Sequence, residues 1–369
     1  MLLVSTIFGA LVIGVASDLR TCDSCSKINN CPQALELVTN NRSPETANKI
    51  RKAYCGTDGV IKVCCTDFLI TSRNLPENSN EENKEDEIEN HPNLHLLSNE
   101  CGDIEGNRII GGVAPTLYEF PWLALISHRV GRSLKFNCGG TVISSMYVLT
   151  AAHCIKGHEI AGVRIGDYDI SKKIDCYGVG VYRECESKYQ DIAVIRAIAH
   201  PDYVRIPVVL NDIGLLRLKK PVDFKPRNAA AVCLPVFQNL REMDITGERG
   251  TVAGWGVTES QSRSNILLKV SVPIYSHDTC KAYYERNRKP GSKPSNRLLK
   301  TFCAGELGRD SCSGDSGGPL MLESPYNETY KMVQFGIVSY GPSQCGANTP
   351  GVYTDLRKFM KWILDTLEP

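Results

Sequence analysis

Downstream of Cys101 the chain is written in short apolar runs, TVIS, YVLTAA, GLLRL, TVAGW and FGIVSY, broken by Gly, Pro and Asn turn signals. Runs of this length and punctuation predict strands. Over residues 109–369 they predict an all-β domain, built as one β-barrel or as two small barrels sharing a cleft. The period changes at the end of the chain. In TDLRKFMKWILDTLEP the apolar residues Leu356, Phe359, Met360, Ile363 and Leu367 recur at helical spacing, which predicts a C-terminal helix packing that face on the barrels.

Upstream the pattern is different. From about Thr71 to Glu100 the sequence turns to Asn, Glu and Pro with the acidic run EENKEDEIEN, which predicts a flexible, solvated linker. Six cysteines, Cys22, Cys25, Cys31, Cys55, Cys64 and Cys65, crowd into a stretch too short to be held by its own apolar core, so a disulfide-stapled module is expected there. The first residues, MLLVSTIFGALVIGVAS, form an apolar run ending in small residues and lack the basic flank or stop-transfer pattern of an anchor. They predict a signal peptide cleaved near Ala16 or Ser17, and hence an extracellular protein. The expected boundaries are 1–17 for the signal peptide, 18–66 for the cysteine-rich module, 67–108 for the linker and 109–369 for the β domain.

Composition narrows the function. Lys and Arg number 42 against 41 Asp and Glu, a net charge of +1, so no basic surplus points to nucleic acid or an anionic membrane. The 16 cysteines are even in number and, in an exported chain, predict disulfides. Their spacings do not form the paired clusters of a zinc site.

The chemistry lies in three local frames. A hydroxyl becomes a nucleophile when a base removes its proton and a third group orients that base. Ser316 lies in DSCSGDSGGP, where flanking glycines permit a tight turn that points the N–H groups of Gly314 and Ser316 at one spot, as an oxyanion requires. His153 lies in LTAAHC, where small and apolar neighbours hold an imidazole at the edge of a barrel wall, and Asp212 opens DIGLLRL, a frame that buries its carboxylate. The other histidines, and Asp191, Asp202 and Asp223, lack such frames and read as surface or packing residues.

The order His153, Asp212, Ser316, with IIGG, LTAAHC, DIGLLRL, GWG and GDSGGP, resembles the chymotrypsin-like serine proteases over residues 109–369. The resemblance implies a double β-barrel. It places Asp310, six residues before the nucleophile, at the base of a pocket that selects Arg or Lys, with Gly341 and Gly351 on the pocket walls and Ser339 supporting Asp212. Tyr340 stands where the family usually has Trp. NRIIGG resembles the family's activation site, so a cut after Arg108 would free the Ile109 amino group to pair with Asp315. The implied disulfides are 138 with 154, 280 with 303, 312 with 345 and 101 with 233, leaving 176 with 185 as a loop bridge.

The spacing from Cys22 to the adjacent cysteines of VCC resembles the clip domain of arthropod extracellular proteases, which implies pairs 22 with 64, 25 with 55, and 31 with 65. The whole chain resembles the phenoloxidase-activating and Easter-like group. Its expected partners are an upstream trypsin-like activator, a downstream zymogen such as prophenoloxidase or a Spätzle-like pro-cytokine, and a serpin inhibitor. A digestive or venom protease would carry the same triad, but a clip module and long linker suit it poorly. A clip-domain adaptor without catalysis is opposed by the intact Ser316, His153 and Asp212.

Two further sites are expected. In GDYDISKKID the carboxylates of Asp167, Asp169 and Asp175, with a carbonyl of Lys172, offer hard oxygens for structural calcium, against the alternative of an ordinary acidic turn. Asn327 in NET and Asn41 in NRS match the glycosylation sequon, Pro44 impairing the second.

Overall fold

A computed structural model describes residues 22, 25–28, 31, 34, 50, 53–57, 61–65, 87–104, 115–177, 183–206, 209–257, 263–286, 300–306, 314–341 and 349–369. The leader, Asn41, Arg108, Ile109, Asp310, Cys312 and Cys345 lie outside them. The chain divides into two units, 1–82 and 83–369.

The first unit holds a three-stranded antiparallel sheet of β1 (Cys25–Lys27), β2 (Tyr54–Thr57) and β3 (Ile61–Cys64), with β3 in the centre. Its core is small: Ile28, Cys31, Ala34, Ile50, Ala53 and Val63. Cys22–Cys64 and Cys25–Cys55 staple it as expected. The third expected pair is not formed. Cys31 and Cys65 are free thiols in hydrogen-bond contact with each other, and burial, with that contact, pushes the Cys65 thiol up to about 11.

The second unit resolves the choice between one barrel and two. β4 (Leu123–Val130), β5 (Ser133–Ser144), β6 (Tyr147–Thr150), β7 (Ile160–Ile165), β10 (Gln190–Ala199) and β11 (Gly214–Leu218) close one barrel. A two-stranded hairpin of β8 (Cys176–Tyr177) and β9 (Glu184–Cys185) leaves it between β7 and β10, closed by the Cys176–Cys185 bridge. The second barrel comprises β12 (Arg249–Gly254), β13 (Leu268–Tyr275), β14 (Thr301–Ala304), β15 (Pro319–Tyr326), β16 (Thr329–Tyr340) and β17 (Gly351–Asp355). Runs such as GLLRL in β11 and GVYTD in β17 are buried almost throughout because barrel interior covers one face and packed neighbours cover the other.

Polar contacts join the barrels through their shared core. Thr141 of β5 donates to buried Gln334 of β16 at 2.6 Å, and the Trp122 indole meets the Met321 sulfur at 3.1 Å. Among the described residues three α-helices complete the unit: α1 (Gln238–Arg241), α2 (His277–Arg286) and α3 (Met360–Thr366). All five apolar residues predicted for the C-terminal helix are buried. The helix is shorter than its pattern, because Asp355 caps a 3-10 turn at Leu356–Lys358 before α3 begins.

The acidic linker ends earlier than its composition suggests. Ile88, Leu94, Leu96 and Leu97 pack on the barrel core, and Asn93 donates to the carbonyls of Leu364 and Leu367 at the open end of α3. Glu89 accepts from the Gln238 N–H at the start of α1, and His91 meets Asp365 at 3.0 Å. Four aliphatic side chains spread through a polar stretch are enough to dock it. The Cys101–Cys233 bridge then fastens this arm covalently to the barrels.

Candidate active site

His153 sits on the 3-10 turn Ala152–Cys154 directly after β6, with Ala151 and Ala152 buried beneath it. The Cys138–Cys154 bridge pins this turn to β5. Asp212 precedes β11 and is 3% exposed. Its Oδ1 accepts from the His153 backbone N–H at 2.9 Å, and its Oδ2 lies 2.8 Å from His153 Nδ1. A carboxylate there assigns the proton to Nδ1 and leaves Nε2 with its lone pair toward the cleft. The Ser339 hydroxyl of β16 donates to the same Oδ2 at 2.5 Å, as the sequence led us to expect. Thr354 of β17, which the sequence did not mark, donates to the Asp212 carbonyl at 2.8 Å.

Ser316 lies on the turn between Gly314 and β15. The turn is held on two sides: Gly139 of β5 donates to the Ser316 carbonyl at 2.9 Å, and Gly317 donates to the Val338 carbonyl of β16 at 2.9 Å. Gly139 adjoins Cys138, whose disulfide partner Cys154 follows His153, so these links bring the nucleophile turn to the histidine. Position 317 must be glycine, since φ is 81° and a Cβ there would lie 2.2 Å from the Thr150 hydroxyl. Gly314, at φ 108°, lies beside it, and the Asp315 carboxylate accepts from the Gly256 N–H at 2.8 Å.

Ser339 near the end of β16 and Gly341 just after it lie beside Gly351, which opens β17. A Cβ on Gly341 would sit 3.6 Å from the Gly351 Cα, so two bare backbones lie side by side on neighbouring strands where the sequence places the pocket wall. Asp310, the expected floor of that cleft, lies outside the described residues.

The acidic loop after β7 gathers a different set of carboxylates from the expected one. Asp169 is satisfied locally: Lys172 pairs with it at 2.7 Å and the Ser171 hydroxyl donates to it at 2.5 Å. Asp167 and Asp175 are more than nine-tenths buried, and each has one oxygen without a hydrogen-bond partner. Glu186, just past Cys185, joins them in both respects. Burial, together with the charge of Asp175, pushes Glu186 up to about 8. Burial pushes Asp167 up to about 6, against the pull of Arg164. Asp167 and Glu186 line a small cavity of about 20 Å³, the size of one water or ion. No three of these carboxylates meet within 4.8 Å, so a shared ion would draw the loop inward.

Residues 109–363 match the family model described as Trypsin, and residues 24–65 match the regulatory CLIP domain of proteinases. The chain is 36% identical over 359 residues to the CLIP domain-containing serine protease HP8 of Bombyx mori, covering 94% of this chain and 91% of that protein. It is 33% identical over 377 residues to Melanization protease 1 of Drosophila melanogaster, covering 92% and 89%. The crystal structure of the Drosophila Grass clip serine protease of the Toll pathway superposes with a TM-score of 0.63 at 29% identity, over 95% of this chain and 98% of that one. No helix among the described residues is long and apolar enough to cross a membrane. With both modules matched and the His153–Asp212 pair set beside the Ser316 turn, the chain belongs to the clip-domain serine proteases of the trypsin family.

Proposed function

We propose that this protein is secreted as an inactive precursor, is cut after Arg108 by an upstream trypsin-like protease, and then cleaves a downstream protein after Arg or Lys. The observation that carries the reading is the Asp212 carboxylate, which orients His153 and is itself held by Ser339 in the cleft that Ser316 enters. In that arrangement His153 Nε2 takes the proton from Ser316 Oγ as the oxygen attacks the scissile carbonyl, and the N–H groups of Gly314 and Ser316 receive the developing oxyanion. His153 then returns the proton to the leaving amine, and water repeats the sequence to free the acid. Glycines 341 and 351, side by side and without side chains, leave the space over that wall open to a long basic side chain, whose charge Asp310 would meet.

The relatives' names place them in melanisation and Toll cascades. By that likeness the extracellular substrate here is a zymogen such as prophenoloxidase or a Spätzle-like pro-cytokine, and a serpin ends the activity. The six disulfides among the described residues suit the oxidising compartment that this requires. Calcium fits the acidic loop, where Asp167, Asp175 and Glu186 would hold it. An ion there supplies structural cross-linking and no catalytic step. Asn327, exposed on the β15–β16 turn, is a glycosylation site in the same reading.

The test is Asp310→Ser in the cleaved enzyme. Loss of one partner of a buried charge pair costs roughly 3–5 kcal/mol, so kcat/KM toward arginyl peptides falls by about 10² to 10⁴. Normal arginyl hydrolysis by this variant would overturn the specificity.

A further inference from the structure

Between β10 and β11, just before Asp212, the chain exposes an arginyl–isoleucyl bond of the same composition as Arg108–Ile109. Ile206 is 81% exposed, Arg205 is exposed beside it, and neither makes a hydrogen bond among the described residues. The segment is closed at its base by Val204 and Leu210, which exchange backbone hydrogen bonds at 3.1 and 2.9 Å. Asn211, at a φ of 50°, adds a side-chain bond to the Asp202 carbonyl at 2.9 Å. Ties so few and so close to the surface make local opening cheap, as entry into another protease's cleft requires. Arg132 is exposed too, but sits in a hairpin turn clamped by the Val130–Ser133 pair. The disulfides give the Arg205–Ile206 bond a special place. Cys138–Cys154 and Cys176–Cys185 lie wholly before it, and Cys280–Cys303 lies wholly after it, as do Cys312 and Cys345. Cys101–Cys233 crosses it, but Cys101 belongs to the arm that a cut at Arg108 separates from residue 109 onward.

We propose that Arg205–Ile206 is a self-inactivation site, cut in one active molecule by a second copy of this chain. The inference rests on the reading that the cleaved enzyme hydrolyses bonds after Arg. Ser316 Oγ of the attacking copy bonds to the Arg205 carbonyl carbon, the C–N bond to Ile206 breaks, and the Ser316 proton passes through His153 to the Ile206 amine. Water then hydrolyses the acyl-enzyme, leaving a carboxylate on Arg205 and restoring Ser316. In the precursor the pieces on either side of the cut stay joined through Cys101–Cys233. In the active enzyme they do not: residues 109–205 carry His153, residues 206–369 carry Asp212 and Ser316, and no covalent link remains between them. Only strand pairing such as β10 with β11 and β6 with β11 then holds the triad together. Without the connecting loop the pieces lose the roughly millimolar effective concentration that a short linker supplies, so the enzyme comes apart on dilution.

The experiment uses the full chain cut at Arg108, held at several concentrations, with initial peptidyl-arginine turnover measured first. Turnover should then decay faster at higher enzyme concentration, in step with a new amino terminus at Ile206 and with release of the 109–205 piece on a non-reducing gel. Arg205→Gln should start at the same turnover and keep it at least about tenfold longer, because the amide cannot supply the charge that the pocket selects. A Ser316→Ala chain already cut at Arg108 should be cut at Arg205 by added active enzyme and left whole by the activator alone. Normal initial turnover with the same decay in Arg205→Gln would overturn the site, as would a cut at Arg205 that leaves turnover intact. Cutting of the Ser316→Ala chain by the activator alone would give the bond to the upstream protease and overturn self-cutting. Absence of initial turnover would defeat the tryptic reading, and the site with it.

Discussion

Gly256→Ala is a one-methyl probe of activation. A Cβ at this position would lie 2.3 Å from one Asp315 carboxylate oxygen, 2.6 Å from the other and 2.5 Å from the carboxyl carbon. Favourable carbon–oxygen contacts lie near ~3.5 Å, so the overlap exceeds about 1 Å and cannot be relieved by a rotamer of a methyl group. The backbone N–H of Gly256 already fixes the carboxylate at 2.8 Å. Asp315 must therefore swing away from the place where it would receive the Ile109 amino group. Losing one partner of that buried pair costs roughly 3–5 kcal/mol, which at about 1.4 kcal/mol per decade lowers kcat/KM by 10² to 10⁴. Overpacking also costs about 1–3 kcal/mol of stability. The assay is hydrolysis of a peptidyl-arginine substrate after complete cutting at Arg108, with the cut confirmed on a reducing gel and folding confirmed by melting. A folded, fully cut variant with activity within twofold of the unaltered enzyme would refute the reasoning that Asp315 must sit against Gly256.

Ser339→Ala removes one donor from the buried Asp212 carboxylate while both His153 contacts remain, so kcat/KM should fall roughly 10- to 100-fold, and steady-state kinetics showing no loss would contradict this. Asn93→Ala removes two hydrogen bonds to the end of α3 and should cost about 2 kcal/mol, seen as a melting temperature lower by about 4–8 °C with arginyl hydrolysis unchanged. Glu186 and Asp167 are raised above the ordinary carboxylate range, so without calcium their contribution is full below about pH 4 and is lost as pH rises through about 6 and 8. Calcium binds the ionised forms, so the gain in melting temperature from calcium over chelator should grow from pH 5 to pH 8, and a flat difference would count against the site.

The catalytic trio was legible because each member sits in a frame that only a few physical arrangements satisfy: glycines around Ser316, small residues before His153, an apolar strand after Asp212. The strands were legible as short runs, but their closure into two barrels depends on pairings such as β10 with β7 that no local pattern encodes. Glu186 was missed because it belongs to the acidic loop only through the Cys176–Cys185 bridge, which brings it back across the hairpin to Asp167 and Asp175. Asp169 finds its partners close by, in Lys172 and Ser171, a pairing that the count of carboxylates in the loop did not reveal. The docked arm at 87–104 was hidden by its charge, because composition averages away the four aliphatic residues that anchor it.

The central claim is that this chain is a tryptic serine protease switched on by a single cut, and the most direct measurement is peptidyl-arginine turnover by the purified full chain before and after cleavage at Arg108. Turnover should appear only with the cut, and the amino-terminal module should stay attached through Cys101–Cys233 until reductant is added. An Arg108→Ala chain treated with the same activator should remain silent. Full activity in that uncut chain would contradict the account.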